Sequence, residues 1–254
     1  MSAEQIERGE KTGKLRKGEK TYWIPLESNP DMFNEFSQLL GVPSECGFAD
    51  CFSLDPESLD WIQTKPCHGI VFLAPHSKMK AINAEQERRL RDQSAESTSP
   101  EVWYMKQLVG NACGTVAVLH VLANAALQNR FELPADCFLA KFLAACASLD
   151  AHSRGLAFET AEGIEAIHHQ CAKTGQTETP AADAPVDAHF VAFSFVDGHL
   201  YELDGGKFGP IDHGPTTVEA FVSDAARVMR SEFIGKLSQD DLFSVLTFGL
   251  LCEN

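Results

Sequence analysis

The order of apolar patterns along this 254-residue chain predicts a single α+β domain. Two observations carry that prediction. The clearest helical pattern, 113–128, and most of its helical neighbours lie early in the chain, whereas two alternating runs, 188–196 and 199–204, come late and flank Asp197-Gly198. Asp-Gly between alternating apolar runs is a strong short-range signal of an antiparallel hairpin. The length suits one large domain with a sizeable core, and no internal repeat divides it.

The elements follow in order. Residues 1–20 hold six basic and four acidic side chains and three glycines without a hydrophobic period, so a polar, flexible tail is expected, with the domain proper running from 21 to 254. Residues 21–30, TYWIPLESNP, read as an edge segment. A helix over 30–40 places Met32, Phe33, Phe36, Leu39 and Leu40 at helical spacing, with Ser28 or Asn29 to cap it and Gly41 to end it. A short helix follows Asp55-Pro56, and Gly69–Leu73 reads as a buried strand. Residues 84–99 are charged and then Ser/Thr-rich, which reads as loop. In 113–128, Val116, Leu119, His120, Leu122, Ala123 and Leu127 share one broad face. Another helix is expected over 134–148, a surface crossing over 149–160 and a loop over 172–187. After the hairpin come a helix at about 216–230 and a strand at 243–251.

Composition narrows the function. With 44% hydrophobic and 22% charged residues the chain is ordinary globular material, and its net charge of −15 repels phosphate backbones and anionic lipid surfaces. No nucleic acid and no membrane partner is expected; a basic protein partner suits the charge. No apolar run is long enough to span a bilayer, and Met1-Ser2-Ala3-Glu4-Gln5 does not open a secretory leader, so a cytoplasmic chain is expected. The eight cysteines are scattered, without a C-x-x-C pair, and read as reduced thiols. Cys46, Cys51, Cys67 and His68 are the nearest approach to a zinc set, but their spacing matches no standard ligand pair. Neither a metal nor an organic cofactor is expected.

The sharpest chemical candidate is Cys113. It ends the small-residue loop Gln107-Leu-Val-Gly-Asn-Ala-Cys113-Gly-Thr and begins a helix, where unpaired N–H groups and the helix dipole stabilise a thiolate. On position alone a small core cysteine is the commoner meaning. The hairpin changes that. A two-residue turn at Asp197-Gly198 pairs Val196 with His199, which sets Asp204 opposite Val191 and makes it the diagonal neighbour of His189 on one face of the sheet. A histidine oriented by an aspartate beside a helix-N-terminal cysteine is what a cysteine hydrolase needs. The amide of Gln107 offers a donor to a developing oxyanion. His120, His168, His169, His199 and His213 read as packing or surface histidines.

Three blocks resemble one family, the ubiquitin C-terminal hydrolases, which are papain-like cysteine deubiquitinases. They are WIPLESNPDMFNEFSQLLG from Trp23, MKQLVGNACGTVAVLH from Met105 and HFVAFSFVDGHLYELDGG from His189. The fit is closest to compact single-domain members. The resemblance implies a papain-like α-β-α sandwich with a central antiparallel sheet flanked by helices, and a knotted backbone. It implies Cys113, His189, Asp204 and Gln107 as catalytic residues, and Glu27, Asp31, Asp50, Pro25 and Leu26 as contacts for ubiquitin or a ubiquitin-like protein. It further implies a monomer and a crossover loop at about 150–165, arching over the cleft and passing only small or unfolded adducts. Gly206 stands where members often carry Arg, and GPIDH at 209–213 departs from the usual block, without removing a catalytic group. The competing readings are a non-catalytic ubiquitin-binding protein that retains the fold and, more remotely, an acyltransferase with the same triad.

Overall fold

The computed structural model describes residues 6–8, 15–17, 20–92, 99–175, 181–182, 184 and 186–252. Two antiparallel sheets form. A small one joins β1 (Ile6–Arg8), β2 (Leu15–Lys17) and β3 (Lys20–Tyr22). The large one contains β4 (Cys46–Asp50), β5 (Thr64–Ala74), β6 (His189–Val196), β7 (His199–Leu203), β8 (Ile211–Pro215) and β9 (Ser244–Leu251), in the order β4-β9-β5-β6-β7-β8. The helices are α1 (Pro30–Leu40), α2 (Pro56–Leu59), α3 (His76–Asp92), α4 (Cys113–Leu127), α5 (Phe138–Cys146), α6 (Ala151–Glu159), α7 (Glu162–Cys171) and α8 (Phe221–Val228), the last running on through a π-turn at Met229–Phe233.

Strand β6 explains the layering. It is buried along its whole length, and its side chains alternate between two cores. Phe190, Ala192 and Val196 join Phe33, Val118, Leu122, Leu139 and Phe158, the core beneath α1 and α4–α7. Val191, Phe193 and Phe195 join Met79, Ile82, Phe221 and Ala225, the core beneath α3 and α8. Helices therefore cover both faces, and the expected α-β-α sandwich is what forms. Each fully enclosed Phe contributes about 1.5–3 kcal/mol relative to an exposed one. The expected register also holds: Val196 pairs with His199 and Ala192 with Leu203, across a turn at Asp197 and Gly198 that both adopt positive φ. Helix α1 begins at the Asn29 cap, whose Oδ1 accepts from Asp31 N at 2.9 Å, and ends at left-handed Gly41.

Three expectations change. The segment at 150–165 is not a loop: it is α6 and the start of α7. Asp150 caps α6, accepting from Ser153 N at 2.7 Å, and Phe158 is enclosed against Trp23. Gly155 serves close packing, because a Cβ there would lie 2.4 Å from the Lys106 carbonyl oxygen. A flexible insertion at that point would break a packed helix. The charged stretch from 84 belongs to α3, which buries Met79, Ile82 and Gln86 and pairs Glu85 with Arg88 and Arg89 on its exposed side. Within the expected tail, 6–8 and 15–17 are strand, β1 paired to β2 and β2 to β3, and the Leu15 side chain is buried. The rest of residues 1–19 lies outside the described residues. Among the described residues, no helix is long and apolar enough to cross a membrane, and no group of three metal-ligating side chains occurs.

Candidate active site

Helix α4 delivers Cys113. Its sequence is almost wholly apolar, so it sits enclosed against β5 and β6, and its first residue meets the cleft half-exposed. Left-handed Asn111 (φ 60°) turns the chain just ahead of it. A Cβ on Gly114 would lie 3.2 Å from the Phe190 ring and 3.4 Å from Leu26 Cβ, so those two residues pack against the glycine that follows Cys113.

The sheet delivers the other two groups. His189 begins β6 opposite Ala74 of β5, and Asp204 follows the last residue of β7. His189 Nε2 and Asp204 Oδ2 are 2.9 Å apart, and Cys113 is near enough to the imidazole to favour its charged form. With Nε2 taken by the carboxylate, Nδ1 is left to face sulfur. Burial alone would discharge His189. The Asp204 charge and its hydrogen bond, helped by Cys113, outweigh this and push the histidine up to about 10. Burial likewise opposes charge on Asp204, but His189, Lys207 and the Gly206 N–H hold its pKa far below the usual carboxylate range. His189 is therefore held as an imidazolium paired with the Asp204 carboxylate and set beside Cys113.

Gln107 lies beside the turn that follows β7. Its N–H donates to Gly205 O at 2.9 Å, and its side-chain Nε2 donates to Val109 O at 3.0 Å, which leaves a second amide proton. The stretch 103–107 that carries it is clamped by α4. Asn124 bonds both the N–H and the C=O of Trp103, at 2.8 and 2.9 Å, and His120 Nε2 accepts from Met105 N at 3.1 Å. Burial lowers His120 to about 4, so it stays neutral and can accept. In the sequence His120 and Asn124 appear only as polar interruptions of an apolar helix; their spacing of four on one face was the available signal. His168, read as a packing residue, links Thr115 Oγ1 (2.6 Å) to the carbonyl of Ile24 (2.8 Å) and so ties the segment ahead of α1 to α4.

Of the residues expected to contact a partner, Leu26 is buried beside Gly114 and Pro25 is half-buried. Glu27 is half-buried with its carboxylate against Gly175. Asp31 stands exposed in the first turn of α1, and Asp50 ends β4 half-buried. Burial and then the Asp31 charge raise Asp50, so these two acids form one negative patch.

A cysteine at a helix N-terminus beside a His–Asp pair on an antiparallel sheet is the arrangement of a papain-like cysteine hydrolase. Comparison with known proteins specifies which. The sequence model of ubiquitin carboxyl-terminal hydrolase, family 1, matches residues 23–234, and the chain belongs to that family. It is similar to a ubiquitin carboxyl-terminal hydrolase of Drosophila melanogaster, 39% identical over 227 residues that cover 88% of this chain and 96% of the relative. It is 38% identical over 208 residues to one from Aplysia californica, covering 82% and 93%. With the L1 isozyme of Rattus norvegicus it shares 34% over 229 residues, covering 90% and 97%. Its fold resembles the Trichinella spiralis UCH37 catalytic domain solved with ubiquitin vinyl methyl ester, with a TM-score of 0.67, 23% identity, and coverage of 91% of this chain and 96% of that one.

Proposed function

We propose that this cysteine hydrolase cleaves the bond after the C-terminal glycine of ubiquitin or a ubiquitin-like protein through an acyl-enzyme on Cys113. The Cys113 thiolate attacks the scissile carbonyl. The oxyanion is received at the N-terminus of α4, with the free amide proton of Gln107 as second donor. His189 then passes its proton to the leaving amine, the C–N bond breaks, and the acyl group remains on sulfur. Water, deprotonated by His189, attacks the thioester and releases the carboxylate and the thiol. Asp204 keeps the imidazole oriented throughout. The observation that supports this reading is the 2.9 Å His189–Asp204 pair set beside Cys113 at the start of α4. A merely binding descendant of the fold has no need of it.

Partner recognition falls to the negative patch of Asp31 and Asp50 with Glu27, which suits a basic tail laid along the segment 23–31. Pro25 and Leu26 line the approach to sulfur. His189 and Asp204 are buried, so an extended tail has to carry the carbonyl inward, and adducts that are small or unstructured next to the bond fit such a recess. All three triad groups come from one chain, which is consistent with a monomeric enzyme, and the eight free thiols suit the cytoplasm. The test is hydrolysis of a fluorogenic ubiquitin C-terminal amide by the parent and by Cys113→Ala. Turnover by the parent alone is expected, with binding retained by the variant; undiminished turnover in Cys113→Ala would move the nucleophile elsewhere.

A further inference from the structure

Beside Asp204 lies a buried ionic cluster with no part in the chemistry above. Glu202 of β7 is 0% exposed and Lys207, three residues past Asp204, is 1% exposed. The Lys207 ammonium donates to Glu202 Oε1, and at 2.6 Å to Gln86 Oε1 of α3. Glu202 Oε2 accepts from Gln86 Nε2 at 3.1 Å and lies 2.9 Å from His213 Nε2. Lys207 Nζ also stands 3.8 Å from Asp204 Oδ2, the oxygen bonded to His189.

An enclosed ammonium is expensive, and a buried ion pair is often replaceable by apolar side chains without loss of stability. Neutralising Glu202 explains only one of the contacts of Lys207. Its placement against the triad carboxylate is a second fact, and the surrounding turn points the same way. Lys207 N donates to Asp204 O at 2.9 Å, closing the turn. The Tyr104 hydroxyl lies 2.9 Å from Asp204 O and 2.7 Å from Lys207 O, and Gly206 N donates to Asp204 Oδ1 at 2.8 Å. Backbone and side chain are thus both fixed on a residue that the reaction uses only for orientation.

We propose that Lys207 is a positioning residue for Asp204. Anchored on Glu202 and Gln86, its ammonium holds the Asp204 carboxylate ionised and turned toward His189. The assignment rests on the triad reading given above. Its chemical sense is that Asp204 must present one oxygen to Nε2 at hydrogen-bond distance, and a buried carboxylate with a single neutral donor on its other oxygen has little else to stop it rotating away.

The test removes both charges together, so that neither is left unpaired: Glu202→Gln with Lys207→Met. The expected result is a folded protein by circular dichroism with a cooperative melt, kcat reduced about tenfold or more on the fluorogenic ubiquitin amide, and KM within about twofold of the parent. In an Asp204→Ala background the same pair should change kcat by less than about twofold, because the carboxylate it acts on is gone. A second pair, Glu202→Gln with Lys207→Gln, keeps hydrogen-bonding groups for Gln86 and carries the same expectations. Parental kcat in both pairs would overturn the proposal. So would an equal loss in the Asp204→Ala background, which would make the cluster structural only. Undiminished kcat in Asp204→Ala by itself would instead refute the triad reading, a separate result.

Discussion

Gly205→Ala tests the geometry of the site with one added carbon. The new Cβ would meet Gln107 Cβ and Val116 Cγ1 at 2.9 Å and Gln107 N at 3.0 Å. Ordinary contacts start near 3.4 Å, so something must move by about half an ångström. None of the three atoms is the end of a flexible chain: two belong to the stretch clamped by His120 and Asn124, and the third to enclosed α4. The turn carrying Asp204 and the stretch carrying Gln107 must therefore part, and the Gln107 N to Gly205 O bond lengthens. Overpacking of this kind costs about 1–3 kcal/mol, a fall in Tm on the order of 5 °C for a domain of this size. The kinetic loss should exceed the stability loss in importance, since displacements of about an ångström can cost about a hundredfold in rate. We expect kcat on a fluorogenic ubiquitin amide to fall at least about tenfold at 25 °C, where the variant remains folded. Gly209→Ala is the control, because nothing lies within 4 Å of a Cβ there. If Gly205→Ala matches Gly209→Ala in both Tm and kcat, the packed contact between the two turns is not what aligns the site.

Further outcomes follow from the same geometry. Gln107→Ala should lower kcat by about a hundredfold, with little change in KM, as expected for losing one oxyanion donor; an unchanged kcat would remove Gln107 from the chemistry. Because Asp204 raises His189, the imidazolium is the form present below the raised value and is lost as pH rises through it, so kcat/KM should hold from neutrality to about pH 9 and fall toward about 10. Asp204→Asn should bring that basic limb down by more than one pH unit, and a limb that stays in place would mean that another group sets it. Doubling the charge loss at Asp31 and Asp50 with Asn should raise KM and flatten its dependence on salt, read between about 20 and 150 mM; association indifferent to salt in the parent would refute steering. Phe158→Ala, which empties an enclosed ring site against Trp23, should cost about 3–5 kcal/mol in urea unfolding, and a loss under 1 kcal/mol would mean that α6 is not part of the packed body.

What the sequence made legible is uneven, for physical reasons. Local signals survived intact: the Asn29 cap, the Gly41 stop and the Asp197-Gly198 turn each act within a few residues, and the last of them fixed the His189–Asp204 diagonal by arithmetic alone. Segments whose character depends on distant partners did not. Polar α6 reads as loop because its stability comes from Phe158 on Trp23 and from Gly155 against Lys106, contacts some 135 and 50 residues away in sequence. Strand β4 buries its residues only because β9 comes back beside it, from Cys46 against Leu250 to Asp50 against Leu246. The grouping of Cys113, His189 and Asp204 was readable because each of them sits at an element boundary. The Glu202–Lys207–Gln86 cluster was not, since its members look like ordinary surface charges until α3 closes over them.

The most direct measurement of the central claim is covalent. Ubiquitin carrying a C-terminal electrophile should label the protein once, and peptide mapping should place the adduct on Cys113, with labelling lost in Cys113→Ala and slowed in His189→Ala. An adduct on any of the other seven cysteines, or equal labelling of Cys113→Ala, would contradict the account.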